Sequence, residues 1–175
     1  MPLTQSSPAR THGREFEISR VFDAPRPLVW RAWTEPEHLM RWFGPTDFTC
    51  PACEIDLRSG GAYRFVMRDP AGVDYPVTGT FAEVAAPERL VMLVDQSGYP
   101  PEWRDTAGKP RPEGLSCPAL AKVTAVTFEE VDVKTRLTIH SVFDTDALAQ
   151  AAALFGIDEG WSQSLQRLAD MLANR

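Results

Sequence analysis

The chain has 175 residues, with 18 basic and 24 acidic side chains, a net charge of −6, and lysine only at positions 109, 122 and 134. That balance, with no Lys/Arg cluster, excludes a nucleic-acid binder driven by phosphate neutralisation. Three cysteines are too few for a secreted disulfide scaffold, and neither a signal peptide nor an apolar run of ~18–20 residues is present. The expectation is therefore a soluble cytoplasmic protein with no membrane insertion.

Residues 1–13 read as a disordered leader and residues 14–175 as a single domain. The segment "REFEISRVF" alternates, placing Phe16, Ile18 and Phe22 on one face of a half-buried strand. In "DAPRPLVWRAW", Asp23 can cap a helix whose first turn tolerates Pro25 and Pro27, with Leu28, Ala32 and Trp33 as its buried stripe. A second short helix opens at "TEPEHLM", where Thr34 and Glu37 have capping-box spacing, and stops at Gly44-Pro45.

From Phe48 to Val94 the pattern is strands divided by turns: "CEIDL", "AYRFVM", "YPVTGTF" and "RLVMLV". Connections this short predict antiparallel neighbours. Pairing Leu57 with Tyr63 brings Ile55 to Phe65 and Cys53 to Met67, so Cys53 points inward and Cys50 outward. Residues 95–118 are proline-rich without periodicity and read as a long loop or lid carrying Tyr99 and Trp103. In the last hairpin, a two-residue turn at Asp132-Val133 aligns Phe128 with Leu137, Val126 with Ile139 and Thr124 with Ser141. Thr127, Thr138 and His140 then occupy the opposite, polar face.

The final segment is helical, capped by Asp144 or Asp146 and broken or kinked at Gly156. Trp161, Leu165, Leu168 and Leu172 form one apolar stripe. A helix with one apolar face needs the concave side of the sheet. The fold class is α+β of helix-grip type: a curved antiparallel sheet around a long C-terminal helix, with two short helices after the first strand.

Five blocks, "VFDAPRPLVWRAWTEPEHLMRWFGP", "EIDLRSGGAYRFVMRDPAG", "YPVTGTFAEVAAPERLV", "VTFEEVDVKTRLTI" and "GWSQSLQRLADML", lie in register with one family. In that order the chain resembles the heat-shock-protein ATPase activator homologues within the START-like (SRPBCC) superfamily. Phe43 stands where the family commonly has a second tryptophan before Gly-Pro. The resemblance implies a cavity between sheet and terminal helix, in a superfamily of hydrophobe carriers, cyclases and chaperone-binding domains, so fold alone does not assign chemistry. Eukaryotic activators carry an additional N-terminal domain, for which 175 residues leave no room, and this weakens the co-chaperone expectation.

The Cys50-Pro51-Ala52-Cys53 motif runs into an extended strand rather than a helix N-terminus, so nothing lowers the thiol pKa. An extended segment separates the two Cα atoms by roughly 10 Å, beyond the ~7 Å limit of a disulfide. A zinc site would have to recruit Cys117 and a histidine; none is expected. Gly60-Gly61 lacks a phosphate-loop pattern and reads as a turn. The histidines and carboxylates form no catalytic constellation, and Glu54 and Asp56 belong on a solvated face. No cofactor is expected and the catalytic residues are unassigned.

Given the cavity that the resemblance implies, its wall candidates are Trp33, Trp42, Phe43, Cys53, Tyr63, Phe65, Met67, Tyr75, Phe81 and Trp161. The leading reading is a binding protein for a small hydrophobic or aromatic molecule. The alternatives are a cyclase- or hydrolase-like enzyme on a ring compound in the same cavity, and an interaction module that meets a chaperone or a second copy of itself.

Overall fold

The left-handed backbone of Asp132 (φ 58°) closes the turn between two strands whose pairing follows from it. Phe128 faces Leu137, Val126 faces Ile139 and Thr124 faces Ser141. Around this hairpin the computed structural model, which describes residues 6–95, 122–154 and 156–174, arranges an eight-stranded antiparallel sheet. Its strands are β1 (Ser6–His12), β2 (Glu15–Phe22), β3 (Thr49–Ile55), β4 (Ala62–Arg68), β5 (Asp74–Ala85), β6 (Arg89–Asp95), β7 (Lys122–Val131) and β8 (Lys134–Phe143). The spatial order is β1-β2-β8-β7-β6-β5-β4-β3. Helices α1 (Arg26–Thr34) and α2 (Pro36–Leu39) follow β2, and α3 (Asp146–Leu154) and α4 (Ile157–Ala173) follow β8. This is the helix-grip fold. The expected insert at 95–118, with Tyr99, Trp103 and Cys117, lies outside the described residues except for Asp95.

The apolar stripe of α4 lies as its spacing predicts: Leu165, Leu168 and Leu172 are buried in one core with Phe16, Phe22, Val126 and Ile139. Polar clamps fix where the helix sits. Arg167 donates from Nη1 to the Gly44 and Pro45 carbonyls at 3.0 and 3.1 Å, and the Thr46 backbone N–H donates to Gln163 Oε1 at 2.9 Å. Gly156, left-handed at φ 75°, is the N-cap of α4 and so separates α3 from α4.

Four sequence expectations change. Residues 6–12 are not a leader but the edge strand β1, paired to β2 with an irregularity between Ser7 and Arg10. "SSPARTH" has no apolar alternation to betray it, and Pro8 is tolerated at such an edge irregularity. The β3–β4 pairing slips by two residues, Ile55 facing Tyr63 and Cys53 facing Phe65, because the turn is closed earlier, by the Asp56 N–H donating to the Ala62 carbonyl at 2.9 Å. Two residues preserve the face. A shift between Thr49 and Ala52 then buries Cys50, expected outward, in the core.

The helix caps differ too. Neither α1 nor α2 has a side-chain cap: Pro25 and Glu35 hold the N-cap positions, so Asp23 and Thr34 do not cap. Thr34 instead donates to the Trp30 carbonyl at 2.9 Å and closes the last turn of α1. The buried face of α1 is Val29, Trp30, Ala32 and Trp33, with Leu28 half-buried. Trp30 and Trp33 both meet the Phe128 ring edge-on, at 5.2 and 6.3 Å.

At Gly79, Tyr63 lies across β5 and donates its hydroxyl to the Leu93 carbonyl on β6 at 2.8 Å. A Cβ at Gly79 would stand 2.6 Å from that hydroxyl and 1.8 Å from the Leu93 oxygen. Both neighbours are fixed, so the side chain has nowhere to go. Gly79→Ala should therefore lower stability by about 2–4 kcal/mol through overpacking and loss of the buried hydrogen bond. Thermal unfolding should show a midpoint roughly 5–15 °C lower; an unchanged midpoint would contradict this account.

Candidate functional site

Alternation puts every second residue of a strand on the concave face, and four consecutive strands each contribute two such residues to one pocket. Phe65 and Met67 come from β4 and Tyr75 and Val77 from β5. Met92 and Val94 come from β6, Lys122 and Thr124 from β7. Helix α4 closes the other side with Ile157, Gly160, Trp161 and Ser164, which fall on one helical face. Trp33 of α1 and Phe43 and Phe48 from the turn after α2 complete the wall around a volume of about 160 Å³.

Aromatic packing fixes the mouth. Trp33 and Trp161 stack with centroids 5.9 Å apart and planes 17° from parallel. Phe43 meets Trp161 at 6.0 Å and Phe65 at 5.1 Å, both edge-on. Such pairs hold ring orientation as well as burying area. Behind Trp33 lies fully buried Trp42, 5.0 Å away, its indole N–H donating to the Ala32 carbonyl at 2.9 Å.

Of the ten residues named from sequence, Trp33, Phe43, Phe65, Met67, Tyr75 and Trp161 line this pocket. The other four do not. Trp42 supports Trp33 from behind, while Tyr63 stacks on Phe65 at 5.0 Å and Phe81 meets Tyr63 at a tilt, 5.1 Å away, filling the neighbouring stretch of the sheet. Cys53 is half-buried on β3, opposite Phe65. Burial pushes its thiol up to about 12 and also raises that of Cys50, so both are protonated and weakly nucleophilic at neutral pH. Among the described residues, no cluster of three or more His, Cys, Asp or Glu could hold a metal ion.

Of the wall residues absent from the sequence-based set, Lys122 stands apart: it carries the only charge on the pocket lining among the described residues. It was legible in principle. The hairpin register that sends Thr124 and Val126 inward sends Lys122 inward by the same parity, two residues earlier. Lys122 is 7% exposed; its Nζ lies 5.5 Å from the Phe143 ring centroid, and no ion pair reaches it among the described residues. Burial lowers its pKa from 10.5 to about 8, because desolvation penalises the ammonium form. Thr124 and Ser141 satisfy each other at 2.8 Å, and Ser164 donates to the Gly160 carbonyl at 2.9 Å. The indole N–H of Trp33 is buried without a partner among the described residues. Among the described residues, neither a carboxylate nor an imidazole lines the pocket. Chemically this is an apolar container with one cation and unspent donors.

The lysine makes stability depend on pH in a known direction. Its folded pKa lies below its unfolded one, so the unfolded chain holds more protons between pH 8 and 10.5. The destabilisation is complete below about pH 8 and disappears as pH rises to 10.5. Lys122→Met should stabilise the protein by about 2–3 kcal/mol at pH 7, the gain shrinking steadily towards pH 10.5. Urea unfolding of both proteins across this range checks it; a pH-independent difference would contradict it.

A family model described as "Activator of Hsp90 ATPase homolog 1-like protein" matches residues 23–173. A search of curated proteins returns no match. Among solved structures, a protein of Nitrosomonas europaea is similar at 27% identity and TM-score 0.75, over 94% of this chain and 97% of that one. A Mycobacterium smegmatis protein shares the fold at 20% identity and TM-score 0.78, over 97% and 99% of the two chains. So does an AHSA1 protein of Silicibacter pomeroyi, at 20% identity and TM-score 0.66 over 91% and 97%. Family and fold are those of a ligand-binding or co-chaperone-like domain, and among the described residues no helix is long and apolar enough to cross a membrane. With the match running from the turn before α1 to the end of α4, the chain belongs to the activator of Hsp90 ATPase homolog 1-like family.

Proposed function

We propose that the protein binds a small apolar or aromatic molecule in the pocket between the sheet and α4. The observation that carries this reading is a volume of about 160 Å³ between the sheet and α4, partly open to the exterior and left unfilled by the described residues. Interiors pack at the density of organic crystals, with few voids larger than a water. A void of this size, walled mainly by aromatic and aliphatic side chains, matches one that accommodates a single aromatic ring. Rigid walls reduce the ordering cost of binding. Here the walls are strand residues and stacked indoles.

A binding role on the exterior has less to stand on. Among the described residues, the exposed large apolar side chains are Leu57, Val73, Leu93, Val123 and Val133, of which only Leu93 and Val123 are ladder partners. Scattered residues of this kind are ordinary surface. A chaperone as partner therefore rests on family membership, whereas the small ligand rests on the pocket as well.

Gly160 offers a direct test. A Cβ there would meet only Pro45 Cγ among the described residues, at 3.9 Å, and Gly160 lines the pocket, so a side chain added there has the pocket to grow into. Toluene should raise the unfolding midpoint of the wild type and quench the emission of Trp33 and Trp161. Gly160→Leu should fill the pocket and remove both responses, while remaining folded and gaining up to about 1 kcal/mol of helix propensity. A variant that responds to toluene as the wild type does would place the binding outside the pocket, and a wild type that binds no single-ring probe, charged or neutral, would contradict the reading.

A further inference from the structure

The one charged group on the pocket lining among the described residues gives the ligand a chemical class. Lys122 projects from the first position of β7 into an apolar container, on the same face as Thr124 and Val126. Its ladder partners Val94 and Phe143 are both buried and apolar. Its contact with the Phe143 ring is a cation–π interaction at 5.5 Å, worth less than an ion pair in a dry site. The chain as a whole is acidic, at −6, and has only three lysines. One of those three is 93% removed from solvent at the wall of the pocket, with no carboxylate beside it on that wall among the described residues. Surface solubility does not account for such a placement, and a methionine would fill the same space without the desolvation penalty.

We propose that the ligand is an apolar acid, a single-ring or branched aliphatic body bearing one carboxylate, whose anion pairs with the Lys122 ammonium inside the pocket. The inference rests on the reading that this pocket is the binding site, and it adds the charge of the occupant. Folding has already stripped the lysine of water, so binding adds only the ligand's own desolvation and gains a charge-assisted hydrogen bond in a low-dielectric site. The indole N–H of Trp33, on the same wall and without a partner among the described residues, is a second donor of the right polarity. Among the described residues, the nitrogen- and oxygen-bearing side chains on the wall are donors or hydroxyls, with no carboxylate. A cationic ligand finds no counter-charge there, and a neutral hydrocarbon leaves the ammonium unpaired.

Benzoate and benzamide, equal in size and shape but different in charge, separate the possibilities in isothermal titration of the full chain at pH 7. The wild type should bind benzoate at least ten-fold more tightly than benzamide. Lys122→Met and Lys122→Gln, shown folded by circular dichroism, should lose that preference, binding benzamide as well as or better than benzoate. Binding of benzamide without preference for benzoate, or a preference that survives both substitutions, overturns the acid proposal while leaving the pocket as the binding site. Failure of benzoate, benzamide and toluene alike to bind overturns both.

Discussion

The structure depends on one geometric constraint: a single helix laid against a strongly curved eight-stranded sheet cannot fill the sheet's concave face. Helix α4 reaches the β2 side of the core with Leu165, Leu168 and Leu172, all three buried there. Towards β4, β5 and β6 the sheet curls beyond its reach. Large aromatic side chains make up the difference at the margins, Tyr63 lying over Gly79 on one side and the Trp33–Trp42–Phe43 cluster closing the other. Between these margins the filling stops. The pocket is what this arrangement leaves over, and its walls are rigid because each belongs to an element fixed for another reason.

That origin explains the separation of structural from wall residues within one aromatic core. Trp42 has its N–H satisfied by the Ala32 carbonyl and its ring sealed from solvent, so it acts as a buttress. Trp33, one layer in, has an unpartnered N–H among the described residues and stacks on Trp161 across the mouth. Arg167 and Gln163 hold the α2–β3 turn against α4 through backbone groups, which sets the distance between the two indoles. The position of the mouth therefore depends on polar contacts at the protein's edge as much as on apolar contacts inside it.

Much of this was legible in the amino-acid sequence wherever a periodic pattern met an unambiguous turn. The β7–β8 register follows from one two-residue turn, and the α4 stripe from one spacing. Legibility failed where the backbone departs from regular repeat. The shift around Pro51 turned Cys50 inward, and the polar edge strand β1 has no apolar alternation to read. Asp23 and Thr34 are suitable capping residues whose caps the structure does not form, because prolines and a buried Thr34–Trp30 hydrogen bond define those ends. The pocket's aromatic walls were within reach, since large rings on inward positions are visible in sequence, but which rings fill space and which border it depends on three-dimensional layering. Lys122 was overlooked for a different reason. A lysine at a strand's start reads as a solvated end, and only parity with Thr124 contradicts that.

The central claim is that the concave face holds a preformed apolar void rather than a filled core. A crystal pressurised with xenon tests it most directly, because xenon enters dry apolar cavities without requiring any particular polar partner. The account predicts one well-occupied xenon site bounded by Trp33, Phe65, Met92 and Trp161, with the surrounding side chains unmoved. Absence of xenon there, or a core in which Trp161 and Met92 have closed over the space, would contradict it.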